Sequence, residues 1–474
     1  MKKTRILSFA IAVLTVLGLV LTTAMPVSAA SQTGIILNQD ASVVAKAATN
    51  AEGYKNFALG FKDTQVTDYV ISLNSVGAGL TYIPALYDAF KTVGINTWLS
   101  FRMNDAQDTA VEPSSLLGSF ISKNPAYKRV KTGINTNKYF NNCLDYTYEA
   151  VRRNMLGLIN TALTNYDCYG IELDFQREIW LWYTGGEYNG IAILNDFMRD
   201  VDRLTKTYSA KYGHDIKIAV RCASDFLTNY EFGLDLGTWA SEGIIDQVTP
   251  TGRYNTTDTD IPVRLWASFA KPYGITVAPC IEKNISAAPG SATGKHTVET
   301  ISAIAASFLS QGADKVYLFN YHTGTDGSFN TVANTVGSLD TLMNVNRRMI
   351  LTYNDTHQLW TKSNAQLPVT IGRNSTKAIH IPVGEVPAGA TVTLKFSVNS
   401  VPSSPASAIT VYVNSEIANY IGTASCTDGF TSNTLLTYTV PAGAHNDTYI
   451  LAEITPTAAE ITIDYAEVYV KVAG

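Results

Sequence analysis

The hydrophobic positions gather into eight short apolar runs: Gly34 to Leu37, Val66 to Leu73, Ile95 to Phe101, Cys168 to Asp174, Ile216 to Val220, Ile245 to Val248, Ile275 to Ile281 and Val316 to Phe319. Each has the length and composition of a buried strand. Between them, Tyr82 to Val93, Tyr146 to Tyr166, Ile191 to Tyr212 and Val298 to Gln311 carry apolar residues at helical spacing. Strands alternating with helices in this way predict an α/β fold, a (β/α)8 TIM barrel. A doubly wound open sheet would require a glycine-rich phosphate turn after the first strand, and none follows Leu37.

From about Leu351 the helical period disappears. Runs such as Lys377 to Ile381, Thr391 to Val398, Ile409 to Val413, Leu435 to Val440, Tyr449 to Ile454 and Ile461 to Val470 alternate apolar with polar residues. Turn residues separate them, which predicts a small all-β sandwich. At the other end, Lys2, Lys3 and Arg5 precede an apolar stretch from Leu7 to Leu21 and a small-residue site at Val27 to Ala30. That is the pattern of a secretory signal peptide, so the chain is expected outside the bacterial cell or on its surface, with no membrane association after cleavage. The expected organisation is a signal at 1–30, a catalytic barrel at 31–353, a linker at 354–366 and an accessory domain at 367–474.

The polar residues that interrupt the pattern gather at the C-terminal ends of the barrel runs. They are Asn38, Asp40, Asn74, Arg102, Asn104, Asp105, Glu172, Asp174, Arg221, Glu282, Asn320 and His322. Loops after those strand ends form the catalytic face of such a barrel. In the fourth run Gly170, Glu172 and Asp174 alternate with Ile171, Leu173 and Phe175, so both carboxylates share one face of a strand. Burying two acids is costly unless a site satisfies or uses them. Arg177, Glu178, Trp180, Trp182 and Tyr183 follow directly. Acids at a strand end followed by clustered aromatics suggest a site for sugars. Glycosidic cleavage needs a proton donor and a second carboxylate flanking the bond, and Glu282 on the seventh run supplies the complement to Glu172 and Asp174.

Charge narrows the choice of partners. The formal net charge is −5 and the sequence has no long basic run, which argues against nucleic acid. Five cysteines at wide spacing and six scattered histidines give neither a disulfide framework nor a metal-ligand pattern. No cofactor or metal is expected.

The runs INTWLSFRMND (Ile95 to Asp105) and YGIELDFQRE (Tyr169 to Glu178) resemble the glycosyl-hydrolase-10-like TIM barrels of secreted bacterial proteins. LDLGTWASEGIIDQV (Leu234 to Val248) and GADKVYLFNYH (Gly312 to His322) extend the resemblance over most of the barrel. VYVNSEIANYIG (Val411 to Gly422) is similar to the accessory domain that often follows. The resemblance implies a glycoside hydrolase, and similarity to the large retaining clan implies a strand-four acid/base, here Asp174 or Glu172, with Glu282 as nucleophile. Asn38, Asn74, Arg102, Asn104, Asp105, Arg177, Glu178, Trp180, Arg221, Asn320 and His322 would then contact substrate. Two other resemblances stay open. YGIELDFQ looks like the chitinase strand-four pattern, with Gln176 where the catalytic Glu would stand. An α-galactosidase-type arrangement would make Asp174 the nucleophile, with Asp258 or Asp260 as candidate acids. A barrel that binds carbohydrate without cleaving it is the reading from another class.

Overall fold

The computed structural model describes residues 33–473 except 74–79, 81, 107–117, 130–137, 183–186, 254–255, 322–327, 357–364 and 446–447. Asn74 and His322 therefore lie outside the described residues, as do Tyr183 and Tyr254. The described residues pack as one compact unit. No helix among the described residues is long and apolar enough to cross a membrane.

The expected runs form parallel strands in sequential order: β1 (Gly34–Asp40), β2 (Val66–Ser72), β3 (Asn96–Arg102), β4 (Gly170–Asp174), β5 (Lys217–Ala223), β6 (Gln247–Thr251), β7 (Thr276–Val277 and Cys280–Ile281) and β8 (Lys315–Leu318). The sheet closes on itself through β7. Thr276 and Val277 pair with β6, and Cys280 and Ile281 pair with β8, which in turn pairs with β1. Pro279 has no N–H to donate, so the strand changes partner there. The Ala278 N–H still reaches Val248 and the Pro279 carbonyl still accepts from Tyr317, at 3.0 and 3.1 Å. The result is the eight-stranded barrel that the alternation predicts.

Helices follow the strands in turn: α1 (Ala51–Leu59), α2 (Tyr82–Thr92), α3 (Glu149–Asn165), α4 (Glu187–Tyr212), α5 (Leu236–Ser241), α6 (Val263–Ala270) and α7 (Val298–Ser310). On α2, Ile83, Leu86, Tyr87 and Phe90 form the buried stripe, at three- and four-residue spacing. α7 differs, since every residue from Thr300 to Leu309 is buried. A helix buried on all sides has cover beyond the barrel. That cover comes from the C-terminal region, whose Gly384 lies against the α7 backbone. A Cβ there would meet Ala306 at 2.7 Å, and φ is +67°, so glycine is required on both counts. Tyr449 to Gln311 (2.7 Å) and Tyr469 to Glu299 (2.9 Å) add hydrogen bonds across the same contact.

The C-terminal region consists of separate antiparallel sheets. The largest joins β9 (Arg347–Ile350), Thr391–Val398, Asn419–Ser425, Thr434–Thr439 and Ala466–Lys471. A second contains Lys377–Pro382, Ile409–Val413, Glu416–Ile417 and Tyr449–Pro456. Buried alternate residues from both, such as Leu394, Phe396, Val411 and Ile454, belong to one apolar cluster. β9 precedes the composition change at Leu351 yet pairs with Ala466–Lys471, so the chain enters these sheets before its pattern announces them.

Inside the barrel the side chains are layered. Ile36, Val70, Trp98, Ala219, Ala278, Cys280, Tyr317 and Phe319 form an apolar cluster of their own. A Cβ on Gly170 would stand 2.4 Å from the Trp98 ring, so the inward position on β4 at this level must be empty of side chain. Continuing along β4, the inward positions are Glu172 and then Asp174.

Candidate active site

Three strands bring the central charges together. Asp174 ends β4, Arg221 lies on β5 directly beside it in register, and Glu282 follows β7. Arg221 Nη1 donates to Asp174 Oδ1 at 2.8 Å and Nη2 donates to Glu282 Oε1. The guanidinium fork thus binds one carboxylate with each terminal nitrogen. Its plane lies over Phe319, 4.0 Å from the ring centroid. All three charged side chains are buried.

The remaining donors are unevenly shared. Asp174 Oδ1 also accepts from the N–H groups of Gln176 (3.0 Å) and Arg177 (2.9 Å). Glu282 Oε1 accepts from Thr251 Oγ1 at 2.9 Å. Asp174 Oδ2 and Glu282 Oε2 have no hydrogen-bond partner among the described residues. Glu172, one inward position deeper, accepts from the Tyr317 hydroxyl at 3.0 Å through Oε1, and Ser100 also hydrogen-bonds to its carboxylate. Gln176 Oε1, Arg221 Nε and Asn320 Oδ1 add to a concentration of buried polar atoms at this end of the barrel that have no partner among the described residues. Native interiors contain few such atoms, so their convergence marks a place for a polar ligand or ordered water.

Burial raises the acids. Glu282 is pushed up to about 7, chiefly by desolvation and against the pull of Arg221. Glu172 rises to about 7 through desolvation and then the charge of Asp174. Asp258, buried in the loop after β6, also reaches about 7 through desolvation and then Asp260. Both of its oxygens are engaged, one by Ser224 Oγ at 2.8 Å and the other by the Asp260 N–H at 3.0 Å.

The other residues expected to contact substrate divide into groups. Asn38 Nδ2 donates to Ser72 Oγ at 3.0 Å, and its Oδ1 accepts from the Asn320 N–H at 3.4 Å, so both asparagines stand at the mouth beside β1 and β8. Asn320 holds a positive φ of 50°, a strained placement for a non-glycine residue. Arg102 is tied to Asp40 at 2.7 Å and Asp105 at 2.9 Å, and Arg177 joins Asp105 at 3.2 Å. Glu178 pairs with Arg253 at 3.1 Å. These side chains brace one another around the rim.

Asn104 and Trp180 have architectural surroundings. The Asn104 amide donates to the carbonyls of Leu144 and Trp180 and accepts from the Leu144 N–H, pinning two loops together. Trp180 is only 1% exposed and is packed against Phe232, Phe140 and the Arg129 guanidinium, which lies 4.2 Å from its ring. Trp182 is buried likewise and donates from Nε1 to the Phe232 carbonyl at 2.9 Å. The aromatic cluster after β4 is thus a loop core, and neither tryptophan offers a sugar-stacking face.

Sequence reasoning did not single out Tyr317, Thr251 or Ser100. Each occupies an inward strand position, and strand parity was the signal that could have found them.

No protein family matches this chain, and no curated protein does. Among solved structures it is similar to a glycoside hydrolase family 18 N-acetylglucosaminidase from Paenibacillus barengoltzii, at 11% identity over 66% of this chain and 99% of that one, with a TM-score of 0.37. The PgaB (BpsB) glycoside hydrolase domain from Bordetella bronchiseptica gives 12% identity over 65% and 99%, with a TM-score of 0.42. The GH36 α-galactosidase AgaB from Geobacillus stearothermophilus gives 12% over 91% and 55%, with a TM-score of 0.37. At these scores nothing about the site is carried across, and the barrel stands on its own strand order.

Proposed function

We propose that this protein is a glycoside hydrolase that acts through Asp174 and Glu282. The observation that carries this reading is their shared guanidinium. Each gives one oxygen to Arg221 and keeps one oxygen without a donor among the described residues, and the two acids come from different strand ends, β4 and β7. Carboxyl groups on the two ends of one guanidinium fall near the short end of the ~5 to 10 Å that glycosidase pairs occupy, which favours retention.

The geometry supports roles opposite to those implied by the retaining-clan resemblance. Glu282, raised to about 7, holds a proton over much of the neutral range and suits the general acid. Asp174 has three donors on Oδ1 and an open Oδ2, which suits the nucleophile. In the first step Asp174 Oδ2 bonds to the anomeric carbon as the glycosidic C–O bond breaks, and Glu282 gives its proton to the departing oxygen. In the second, water attacks the anomeric carbon, Glu282 takes the proton back, and the bond to Asp174 breaks. Asn38, Gln176 and Asn320 at the mouth would contact sugar hydroxyls. The signal-like Lys2 to Ala30 segment supports action outside the cell, and the similarity of Ile95 to Asp105 and Tyr169 to Glu178 to the glycosyl-hydrolase-10-like barrels supports the same class.

The test is a panel of aryl and natural glycosides with two variants. Glu282→Gln is expected to lose most activity on natural leaving groups and far less on nitrophenyl glycosides, which need little protonation. Asp174→Asn is expected to lose activity on both, by several orders of magnitude. Equal losses for Glu282→Gln on both substrate types would reject the acid role. A second reading, a non-catalytic carbohydrate-binding barrel, is favoured by the charge neutralisation at Arg221. Glycan binding without turnover on any glycoside would select it.

A further inference from the structure

The arginines at the barrel mouth are paired. Arg102, Arg177, Arg221 and Arg253 each hold a buried carboxylate. Lys283 and Lys295 differ. Both are exposed, and neither ammonium has an ion pair or hydrogen bond among the described residues. Lys283 directly follows Glu282. Lys295 ends the return strand of a short hairpin, Asn284–Ser286 with Thr293–Lys295, where it pairs with Asn284. A single exposed lysine is ordinary. These two line one cavity, of about 110 Å³, between the ends of β7 and β8 and the start of α7. Its lining also includes Glu282 and Asn320, with Ile301 and Leu318 as an apolar side.

The hairpin is firmly held. Thr257, in the loop after β6, donates its N–H to the Asn284 carbonyl at 2.9 Å, and its hydroxyl bonds His296 Nε2 at 2.8 Å. The Ser286 N–H donates to Thr256 Oγ1 at 2.7 Å. A Cβ on Gly294 would stand 2.8 Å from the Phe430 ring, so the C-terminal sheets press on the hairpin from the other side. The loop after β6 is fixed in turn, because Thr352 donates to the Thr257 carbonyl at 2.7 Å. Asn354, Asp355 and Thr356 begin what composition marks as a linker, yet they are at most 1% exposed and bond Ser224, the Arg253 N–H and Gln176. The two lysines therefore stand on fixed backbone, which lowers the ordering cost of binding. No other charge at the cavity competes with theirs. His296 is kept neutral, since burial lowers it to about 4, and Thr257 and Thr300 engage both ring nitrogens. Glu299, in the first turn of α7, is turned to Tyr469.

We propose that this cavity is a subsite for an anionic sugar, whose carboxylate or sulfate group is bound by Lys283 and Lys295. The substrate class is then an acidic glycan. The inference rests on the glycosidase reading of Glu282 and deepens it. Glu282 gives its proton to the departing oxygen, so a cavity that Glu282 itself lines flanks the leaving-group side of the bond. An ammonium group is a compact point charge and suits a carboxylate or a sulfate equally. The chain as a whole carries −5, so attraction for an anionic glycan has to come from a local pair such as this one.

The test is affinity electrophoresis of the full chain in gels that contain polygalacturonate or hyaluronate for carboxylates, carrageenan for sulfates, and galactan or dextran as neutral glycans. The wild type is expected to be retarded by an acidic glycan more than by the neutral ones, and less so as salt rises. The gel that retards it tells carboxylate from sulfate. Changing both lysines, Lys283→Gln with Lys295→Gln, should weaken that binding by about tenfold or more. Lys283→Arg with Lys295→Arg keeps the charge and should stay within about threefold of the wild type. Both positions are exposed, so an unchanged Tm is expected for either pair. Retardation by no acidic glycan, or equal retardation of the wild type and the Gln pair, would overturn the subsite. Turnover of a neutral glycan with the same KM in the Gln pair would overturn it as well and leave the glycosidase reading intact. Lysine-dependent binding of an acidic glycan, with no turnover of any glycoside, would keep the subsite and remove that reading.

Discussion

Asp174 and Glu282, 108 residues apart in the chain, are bonded to opposite ends of the same Arg221 guanidinium. A buried cation between two buried carboxyl groups offsets the charge of whichever of them is ionised. Replacing it with Met leaves both carboxylates without their cation. Arg221→Met is expected to cost about 3 to 5 kcal/mol in denaturant unfolding. Arg221→Lys, a single point charge in place of a fork, should keep the fold and lose at least tenfold in turnover on any confirmed substrate.

Glu282 also makes stability depend on pH. Its folded value of about 7 lies above the ordinary 4.5, so the folded state binds its proton more tightly than the unfolded chain. The resulting stabilisation is complete below about pH 4.5 and is lost as pH rises through 7. Relative to Glu282→Gln, the wild type should therefore lose on the order of 3 kcal/mol between pH 4.5 and 8, read from urea midpoints across that range.

The opposite sign applies to Glu467 in the C-terminal sheets. Desolvation pushes its carboxyl up, but Arg348 and Lys395 outweigh it, and the folded value falls below the ordinary one. Its contribution is present above about pH 4.5 and lost as pH falls through the lowered value. Glu467→Gln should lower Tm at pH 7 and narrow the gap to the wild type below pH 4.

Gly384 tests how firmly the C-terminal region is seated. A methyl group there meets the α7 backbone rather than a movable side chain. Gly384→Ala is expected to destabilise by about 1 to 3 kcal/mol, and hydrogen exchange should show lost protection in α7 and along Lys377–Pro382. Unchanged protection at both places would mean that the two regions are not mechanically joined there.

Trp180 separates loop architecture from ligand contact. Its ring is enclosed by Phe232, Phe140 and Arg129. Trp180→Phe should lower Tm while leaving KM on a confirmed glycoside within a factor of about two.

The barrel was legible because its cause is local. Period-2 and period-3.6 patterns are consequences of which side of a strand or helix is buried, and eight alternations leave few alternatives. The strand-end acids were legible for the same reason: parity on β4 puts Glu172 and Asp174 on one face whatever lies opposite. The sequence by itself thus determined the alternation of strands and helices and the shared face of Glu172 and Asp174. It did not determine who meets whom across the mouth. Only the tertiary structure placed Arg221 between Asp174 and Glu282, packed Trp180 and Trp182 into a loop core and drew Arg102 onto Asp40 and Asp105. Only it carried Asn354 to Thr356 from an apparent linker onto three barrel loops. Those outcomes depend on distances set by closure of the barrel and by docking of the C-terminal sheets on α7. Ion pairing and burial are properties of what surrounds a residue in space, and local pattern carries no record of it.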